Sequence, residues 1–210
     1  NPYLIDLDQL AREKLLTPEE IRSHYWGTQK SAIDYAALFE NRTLVLQKAF
    51  GRFDEHEPEF QQFVEENRDW VEDYGLNMAL KVSNGNQNWQ SWPENIQKKQ
   101  PVALAKCRKE MYNNIMFWVF CQYKFFQQWG KLREYANSKG IQLIGDVPFY
   151  VGKDSVDTWM HPEQFLLDEN GEAAYVAAVI PDKFSETGQV WGNPLYNWPL
   201  MQEDGFSWWK

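Results

Sequence analysis

The sequence predicts an α/β fold with a mostly helical insertion. A long proline-free pattern, in which apolar residues recur every three or four positions over residues 102–139, is typical of a helix. One glycine later comes a short apolar run over residues 141–146, which is typical of a buried strand. Shorter helical patterns over residues 17–100 indicate a small helical subdomain.

The first elements of the chain are short helices with recognisable starts. Residues 8–16 follow a turn and have apolar residues at helical spacing. Thr17 predicts a second helix start, because it can cap the helix while Pro18 takes the first position and Glu20 completes a capping box. A third helix is predicted over residues 33–50.

Two longer helices are predicted next, separated by a loop. Residues 58–74 mix apolar and acidic side chains in an amphipathic pattern that ends near Gly75. Residues 83–88 form a loop by composition. The helix over 102–139 ends in a basic last turn followed by Gly140.

Asp146 closes the predicted strand and is the first candidate for chemistry. Helix, glycine, strand and carboxylate in this order are typical of α/β barrels, whose active-site residues lie at the C-terminal ends of the strands. Taken alone, Asp146 is equally well explained as a helix cap or a turn former before Pro148.

Aromatic residues are frequent, since 11 Trp, 10 Tyr and 13 Phe make up 16% of the chain. One interpretation is a large aromatic core. The other is a carbohydrate site, where sugar faces stack on rings and polar neighbours bond the hydroxyls. The formal net charge of -9 disfavours nucleic acid and anionic lipid as partners.

Cysteine and histidine usage predicts no metal, no cofactor and no disulfide framework. Cys107 and Cys121 are too few for such a framework, and His24, His56 and His161 lack the spacing of a zinc site. We therefore expect a reducing, cytoplasmic compartment. No apolar run approaches the roughly 20 residues of a membrane span, and no signal-peptide pattern is visible.

Residues 141–198 hold blocks that resemble a known family. Gly-Asp-Val-Pro-Phe-Tyr-Val at 145–151 and Gly-Gln-Val-Trp-Gly-Asn-Pro-Leu-Tyr at 188–196 strongly resemble the amylomaltases, the 4-α-glucanotransferases of the α-amylase clan. Asn-Pro-Tyr-Leu-Ile at 1–5 and Phe-Phe-Gln-Gln-Trp at 125–129 are similar to the same family. The resemblance therefore spans the chain.

The resemblance implies part of a (β/α)8 TIM barrel with a mostly helical inserted subdomain. Three regions are expected: a barrel-associated segment over 1–16, the inserted subdomain over 17–100, and a barrel segment over 101–210. The last would hold the long helix, the strand ending at Asp146 and the substrate-cleft loops.

The implied reaction is a retaining transfer of α-1,4-glucan segments between maltooligosaccharides, which requires two carboxylates. In the family, the nucleophilic Asp lies in an Arg-x-Asp-His motif, and the acid/base Glu follows later. No Arg-x-Asp-His occurs here. We therefore expect the catalytic pair to lie beyond Lys210 and the chain, as an interior fragment, to be inactive alone.

Several positions match substrate-binding residues of the family. Asp146 matches an active-site Asp that lines the donor pocket and assists without being the nucleophile, and Phe184 lies in the loop that covers bound glucan. The remaining matches in the cleft are Tyr150, Asp182, Gln189, Trp191 and Asn193. Asp154 is a further match, but a structural role is an equal alternative for it, as for Tyr150 and Asp182.

The cleft loop departs from the family pattern. Gly-x-Pro-Pro-Asp-Tyr-Phe is common in the family, whereas residues 178–184 read Ala-Val-Ile-Pro-Asp-Lys-Phe. Lys183 removes an aromatic stacking surface, and Ala178 replaces a conformationally free glycine. We expect these changes to affect loop closure and acceptor choice.

The expected partners are α-1,4-glucans and maltooligosaccharides, with neither nucleic acid nor membrane among them. Unpaired barrel edges are expected to favour self-association of the fragment. Two alternatives remain open. One is a stand-alone glucan-binding module, and the other is a fragment of a starch-hydrolysing enzyme of the same clan, which delivers water in place of sugar.

Overall fold

The structure is a computed structural model that describes residues 1–29 and 31–210. The described chain forms two compact units. The first unit combines Asn1–Leu76 with Met111–Ile144, and the second combines Asn77–Glu110 with Gly145–Lys210. Each unit thus joins two separate stretches of sequence. The division into segments 1–16, 17–100 and 101–210 of a partial barrel stays a prediction.

Helices make up most of the regular structure. In chain order they are α1 (Leu7–Arg12), α2 (Pro18–Arg22), α3 (Tyr35–Phe50), α4 (Pro58–Glu66), α5 (Val71–Ser83), α6 (Glu94–Gln97), α7 (Pro101–Glu110), α8 (Tyr112–Ser138), α9 (Val156–Met160) and α10 (Trp198–Glu203). Within the described residues, none of these helices combines the length and apolar character needed to cross a membrane.

The start of α2 confirms the predicted capping box. The Glu20 amide donates to the Thr17 hydroxyl at 3.2 Å, and the Thr17 amide donates to the Glu20 carboxylate at 2.9 Å. Arg52 donates two hydrogen bonds to the same carboxylate, at 2.7 and 2.9 Å. The hydrogen bonds from Arg52, followed by the one from Thr17, lower the pKa of Glu20 to about 2.

The core of the first unit is aromatic. The Phe53 ring packs against Phe60 and Phe120, with centroids 5.1 and 4.9 Å apart, and Tyr123 lies 5.3 Å from Phe60. Phe60 and Phe120 are fully buried. An aromatic core therefore accounts for part of the aromatic content of the sequence.

Both predicted long helices are in fact interrupted. The pattern over 58–74 breaks between α4 and α5, and Gly75 lies inside α5 instead of ending a helix. A Cβ at position 75 would lie 2.9 Å from the carbonyl oxygen of Ile115, so glycine permits the close packing of α5 on α8. Met111 separates α7 from α8 within the range predicted as one helix, whereas the predicted end before Gly140 is confirmed.

The predicted buried strand over residues 141–146 is wrong. Residues 141–149 have no regular secondary structure, and Ile141, Leu143 and Ile144 are exposed, the last by 95%. A parallel barrel strand is buried only when strands pair with both its edges and helices cover its faces. Among the described residues, no strand pairs with this segment.

The second unit contains the one sheet of the described residues. Strands β1 (Val176–Val179) and β2 (Gln189–Pro194) pair antiparallel, with Ala178 opposite Val190. The core below this sheet groups Phe165, Tyr196 and Met201, against which Tyr150, Val151, Leu167, Trp208 and Trp209 pack. Strand β2 lies in the region that the resemblance assigns to the substrate-cleft loops.

Candidate functional site

Strand β2 carries three of the predicted substrate-binding residues, Gln189, Trp191 and Asn193. Its pairing with β1 is irregular between residues 190 and 194, where Gly192 has a φ of +76°, so contacts and not strand alternation define how these side chains are placed. The Trp191 indole N–H donates to the Gln189 side-chain oxygen at 3.0 Å, which fixes both orientations. The Asn193 amide donates to the carbonyl oxygen of Val151 at 2.7 Å and so ties β2 to the segment that follows Asp146.

Tyr150 joins Trp191 through ring contacts. Its ring meets Trp191 edge-on at 5.9 Å and stacks on Tyr196 at 6.4 Å, while Phe149 lies 6.4 Å from Trp191. Trp191 and Phe149 remain 45% and 57% exposed. We call Phe149, Tyr150 and Trp191 the aromatic wall. It offers apolar ring surface beside amide groups.

Burial of Tyr196, the ring below the aromatic wall, raises the pKa of its phenol to about 12, with Asp157 contributing further. The phenol is therefore neutral at neutral pH. Together, the amides and the aromatic rings suit a neutral ligand with many hydroxyl groups and flat apolar faces.

Asp182 and Phe184 lie in a turn before β2. The Asp182 carboxylate accepts hydrogen bonds from the backbone amides of Phe184 and Ser185, at 2.8 and 2.9 Å. This carboxylate therefore stabilises its own turn. The Phe184 side chain is 82% exposed, and the Lys183 ammonium lies 4.9 Å from the centroid of its ring. Lys183 thus makes a cation–π contact with the Phe184 ring and does not add an aromatic ring of its own.

Asp146 lies in the exposed segment over residues 141–149. In the described residues, the contacts that join Tyr150, Gln189, Trp191 and Asn193 do not include Asp146, Asp182 or Phe184. Four of the seven predicted substrate-binding residues are therefore brought together. The departure at Ala178 has a local explanation, since this residue lies in β1, where the backbone needs no glycine.

Asp154 serves as an anchor in the second unit. Its carboxylate accepts a hydrogen bond from the Trp89 backbone amide at 3.0 Å and pairs with the Lys81 ammonium. The Trp89 indole N–H donates to the Thr158 hydroxyl at 3.2 Å. These contacts therefore support the structural role for Asp154. No motif in the sequence indicates Lys81 or Trp89, because both act through residues more than sixty positions away.

Gly171 lies against the same anchor. Its φ is +77°, a conformation that side chains disfavour, and a Cβ at this position would lie 2.2 Å from the Trp89 indole. The Gln90 side chain donates to the carbonyl oxygens of Gly171 and Lys153, at 3.1 and 3.2 Å. The segments around residues 89, 153 and 171 are therefore held together.

A cavity of about 390 Å³ opens beside Trp191, on strand β2. Its lining includes Gly152, Lys153, Glu172, Trp191, Gly192 and Asn193. Lys153 and Glu172 are absent from the residues that the sequence indicated, because neither lies in a motif that resembles the family.

The comparisons with known proteins agree with one another. The family model described as 4-alpha-glucanotransferase matches residues 1–210. A 4-alpha-glucanotransferase of Clostridium butyricum is 40% identical over 211 residues, which cover 100% of this chain and 43% of that protein. One of Thermus thermophilus is 42% identical over 214 residues, covering 100% of this chain and 42% of the relative.

A solved structure supports the same assignment. The amylomaltase from Streptococcus agalactiae, in complex with acarbose, superposes with a TM-score of 0.93 at 40% identity, covering 100% of this chain and 43% of that one. This likeness supports the predicted α/β class. The chain thus spans less than half the length of the relatives that it matches. Since the family model matches it from end to end, the chain belongs to the 4-alpha-glucanotransferase family.

Proposed function

We propose that the chain supplies part of the glucan-binding cleft of a retaining 4-α-glucanotransferase, which transfers α-1,4-glucan segments between maltooligosaccharides. The observation that carries this proposal is the aromatic wall beside Gln189 and Asn193. Ring faces of this kind stack on sugars, and neighbouring amides bond hydroxyls. The Streptococcus agalactiae relative was solved with acarbose, which supports a carbohydrate ligand.

In this proposal the chain contributes to glucan binding, and other parts of the enzyme supply the groups that cleave the bond. Retaining transfer requires a nucleophilic carboxylate and an acid/base carboxylate. Asp154 is engaged by Lys81, and Asp182 by its own turn, so neither is free for that work. The catalytic pair then belongs to parts of the family that this chain does not match, while Asp146 assists from the donor pocket.

The cleft loop has a separate role in the proposal. In this proposal Phe184, whose exposed side chain supports the role, closes over bound glucan and excludes water. Exclusion of water favours transfer to a sugar over hydrolysis. A (β/α)8 barrel with a mostly helical inserted subdomain is, in the same proposal, the architecture to which the chain contributes.

A chimera tests the proposal. The chain would replace the matching segment of the Clostridium butyricum relative, and maltotriose disproportionation would be followed as release of glucose and longer maltooligosaccharides. We expect transfer by the chimera and none by the 210-residue chain alone. Transfer by the chain itself would contradict the division of roles. A chimera that unfolds cooperatively yet transfers nothing would contradict the proposed function.

A further inference from the structure

The cavity beside Trp191 has the size and the lining of a ligand site. Its volume of about 390 Å³ falls in the range of small-molecule pockets. Its lining includes Trp191, which is 45% exposed, and a charged pair, Lys153 and Glu172. At Gly152, which also lines the cavity, an added Cβ would meet nothing within 4 Å, so open space lies beside the backbone.

The charged pair is loosely joined. The Lys153 ammonium and the Glu172 carboxylate are 3.8 Å apart, and their side chains are 51% and 52% exposed. Such a pair adds little to stability. A ligand hydroxyl can therefore replace the contact at low cost, by accepting from Lys153 and donating to Glu172. Because the two charges cancel, the pair favours a neutral ligand over an ionic one.

The backbone under this pair is well held. The Lys153 carbonyl oxygen accepts hydrogen bonds from the Trp89 indole, the Gln90 amide and the Thr158 hydroxyl, at 3.3, 3.2 and 3.0 Å. Gln90 also donates to Gly171, the neighbour of Glu172. The Gln90 side chain therefore links the backbone segments of Lys153 and Glu172. Because these segments are already held in place, less conformational entropy is lost when a ligand binds there.

We propose that Lys153 and Glu172, with the adjoining face of Trp191, form a separate subsite for one further glucosyl unit of a long α-1,4-glucan. This inference rests on the proposed function, since it adds a subsite to the same cleft. Its consequence is a preference for chain length. Maltoheptaose reaches the subsite, whereas maltotriose is held by the aromatic wall alone.

Calorimetric titration of the 210-residue chain with maltoheptaose and maltotriose tests the subsite. We expect Lys153→Met and Glu172→Gln each to weaken maltoheptaose binding about fivefold or more, because each removes a hydrogen bond to a charged group. Maltotriose binding should stay within about twofold of the unaltered chain. Lys106→Met is the matched control, because Lys106 pairs with Glu110 at 3.9 Å on α7 and does not line the cavity.

Equal maltoheptaose affinities for the unaltered chain, K153M and E172Q would overturn the subsite. So would a failure of the unaltered chain to prefer maltoheptaose. As a measurement without substitutions, amide chemical shifts of Lys153 and Glu172 should move with maltoheptaose and stay in place with maltotriose. The chimera separates the two proposals: transfer without chain-length preference sinks the subsite alone, whereas a folded chimera without transfer sinks the proposed function.

Discussion

Two regions, one in each unit, use the same residue class for opposite purposes. In the first unit Phe53, Phe60 and Phe120 turn their rings toward one another and away from water, and the last two are fully buried. In the second unit the aromatic wall keeps about half of the Trp191 and Phe149 surfaces exposed. Aromatic content alone cannot separate these uses. Exposure combined with neighbouring amides can.

The largest expected effect is on the aromatic core. Phe120→Ala leaves a cavity among Phe53 and Phe50 and should lower the free energy of unfolding by about 3–5 kcal/mol. Urea denaturation followed by tryptophan fluorescence measures this loss. Phe39→Ala, at a side chain that is 69% exposed, is the control and should change stability by less than about 0.5 kcal/mol. Equal losses in both variants would contradict the assignment of a core.

Trp191→Ala should weaken ligand binding more than stability, because the Trp191 ring is partly exposed on the aromatic wall. We expect maltoheptaose binding to weaken about thirtyfold, or roughly 2 kcal/mol. Unfolding stability should fall by less than about 1 kcal/mol. Titration calorimetry and urea denaturation of the same preparation measure both quantities. If stability falls while affinity stays, Trp191 is a core residue and the comparison between the units fails.

Asp154→Ala tests the anchor in the second unit. The substitution leaves the Lys81 ammonium and the Trp89 amide without their acceptor, so we expect a loss of about 1–2 kcal/mol in stability. Asp154→Asn retains an acceptor for Trp89 and should lose less. Glucan affinity should change little in D154N, as measured by the same titrations. A large loss of affinity with unchanged stability would instead favour direct substrate contact by Asp154.

The smallest expected effect is on the pH dependence of stability in the first unit, through Glu20 and Arg52. The pKa of Glu20 is lowered from 4.5 to about 2, so its pairing with Arg52 stabilises the folded state above pH 4.5 and is lost as the pH falls toward 2. The stability difference between the unaltered chain and Arg52→Met should therefore be constant above about pH 5 and shrink at lower pH. Urea midpoints at several pH values measure it. A difference that grows on acidification would contradict this assignment.

Local signals in the sequence were reliable where a few neighbouring residues decide the structure. Thr17 and Glu20 specify a helix start through their reciprocal hydrogen bonds, with Pro18 at the first helical position, and Gly140, whose φ is +75°, follows the end of α8. The breaks near residue 67 and at Met111 escaped prediction, because neither proline nor glycine interrupts the apolar pattern there.

Non-local structure was harder to predict. Residues 141–146 have the composition of a buried strand, yet burial depends on neighbours that composition does not supply. In the site, the motif residues Tyr150, Trp191 and Asn193 do meet, since one strand and one segment carry them. Lys81, Trp89, Lys153 and Glu172 come together only through folding, so their roles are visible in contacts and not in spacing.

Gly171 limits what protein engineering can do in this loop. Two independent obstacles bar any larger side chain: the positive φ and the Trp89 ring 2.2 Å from a would-be Cβ. Trimming Trp89 removes only the second obstacle and also removes the indole donor to Thr158. Every single-base missense change of a glycine codon introduces a side chain, so any such change at position 171 should strain this loop. Insertions that lengthen the loop, or a circular permutation opened within it, should also avoid position 171.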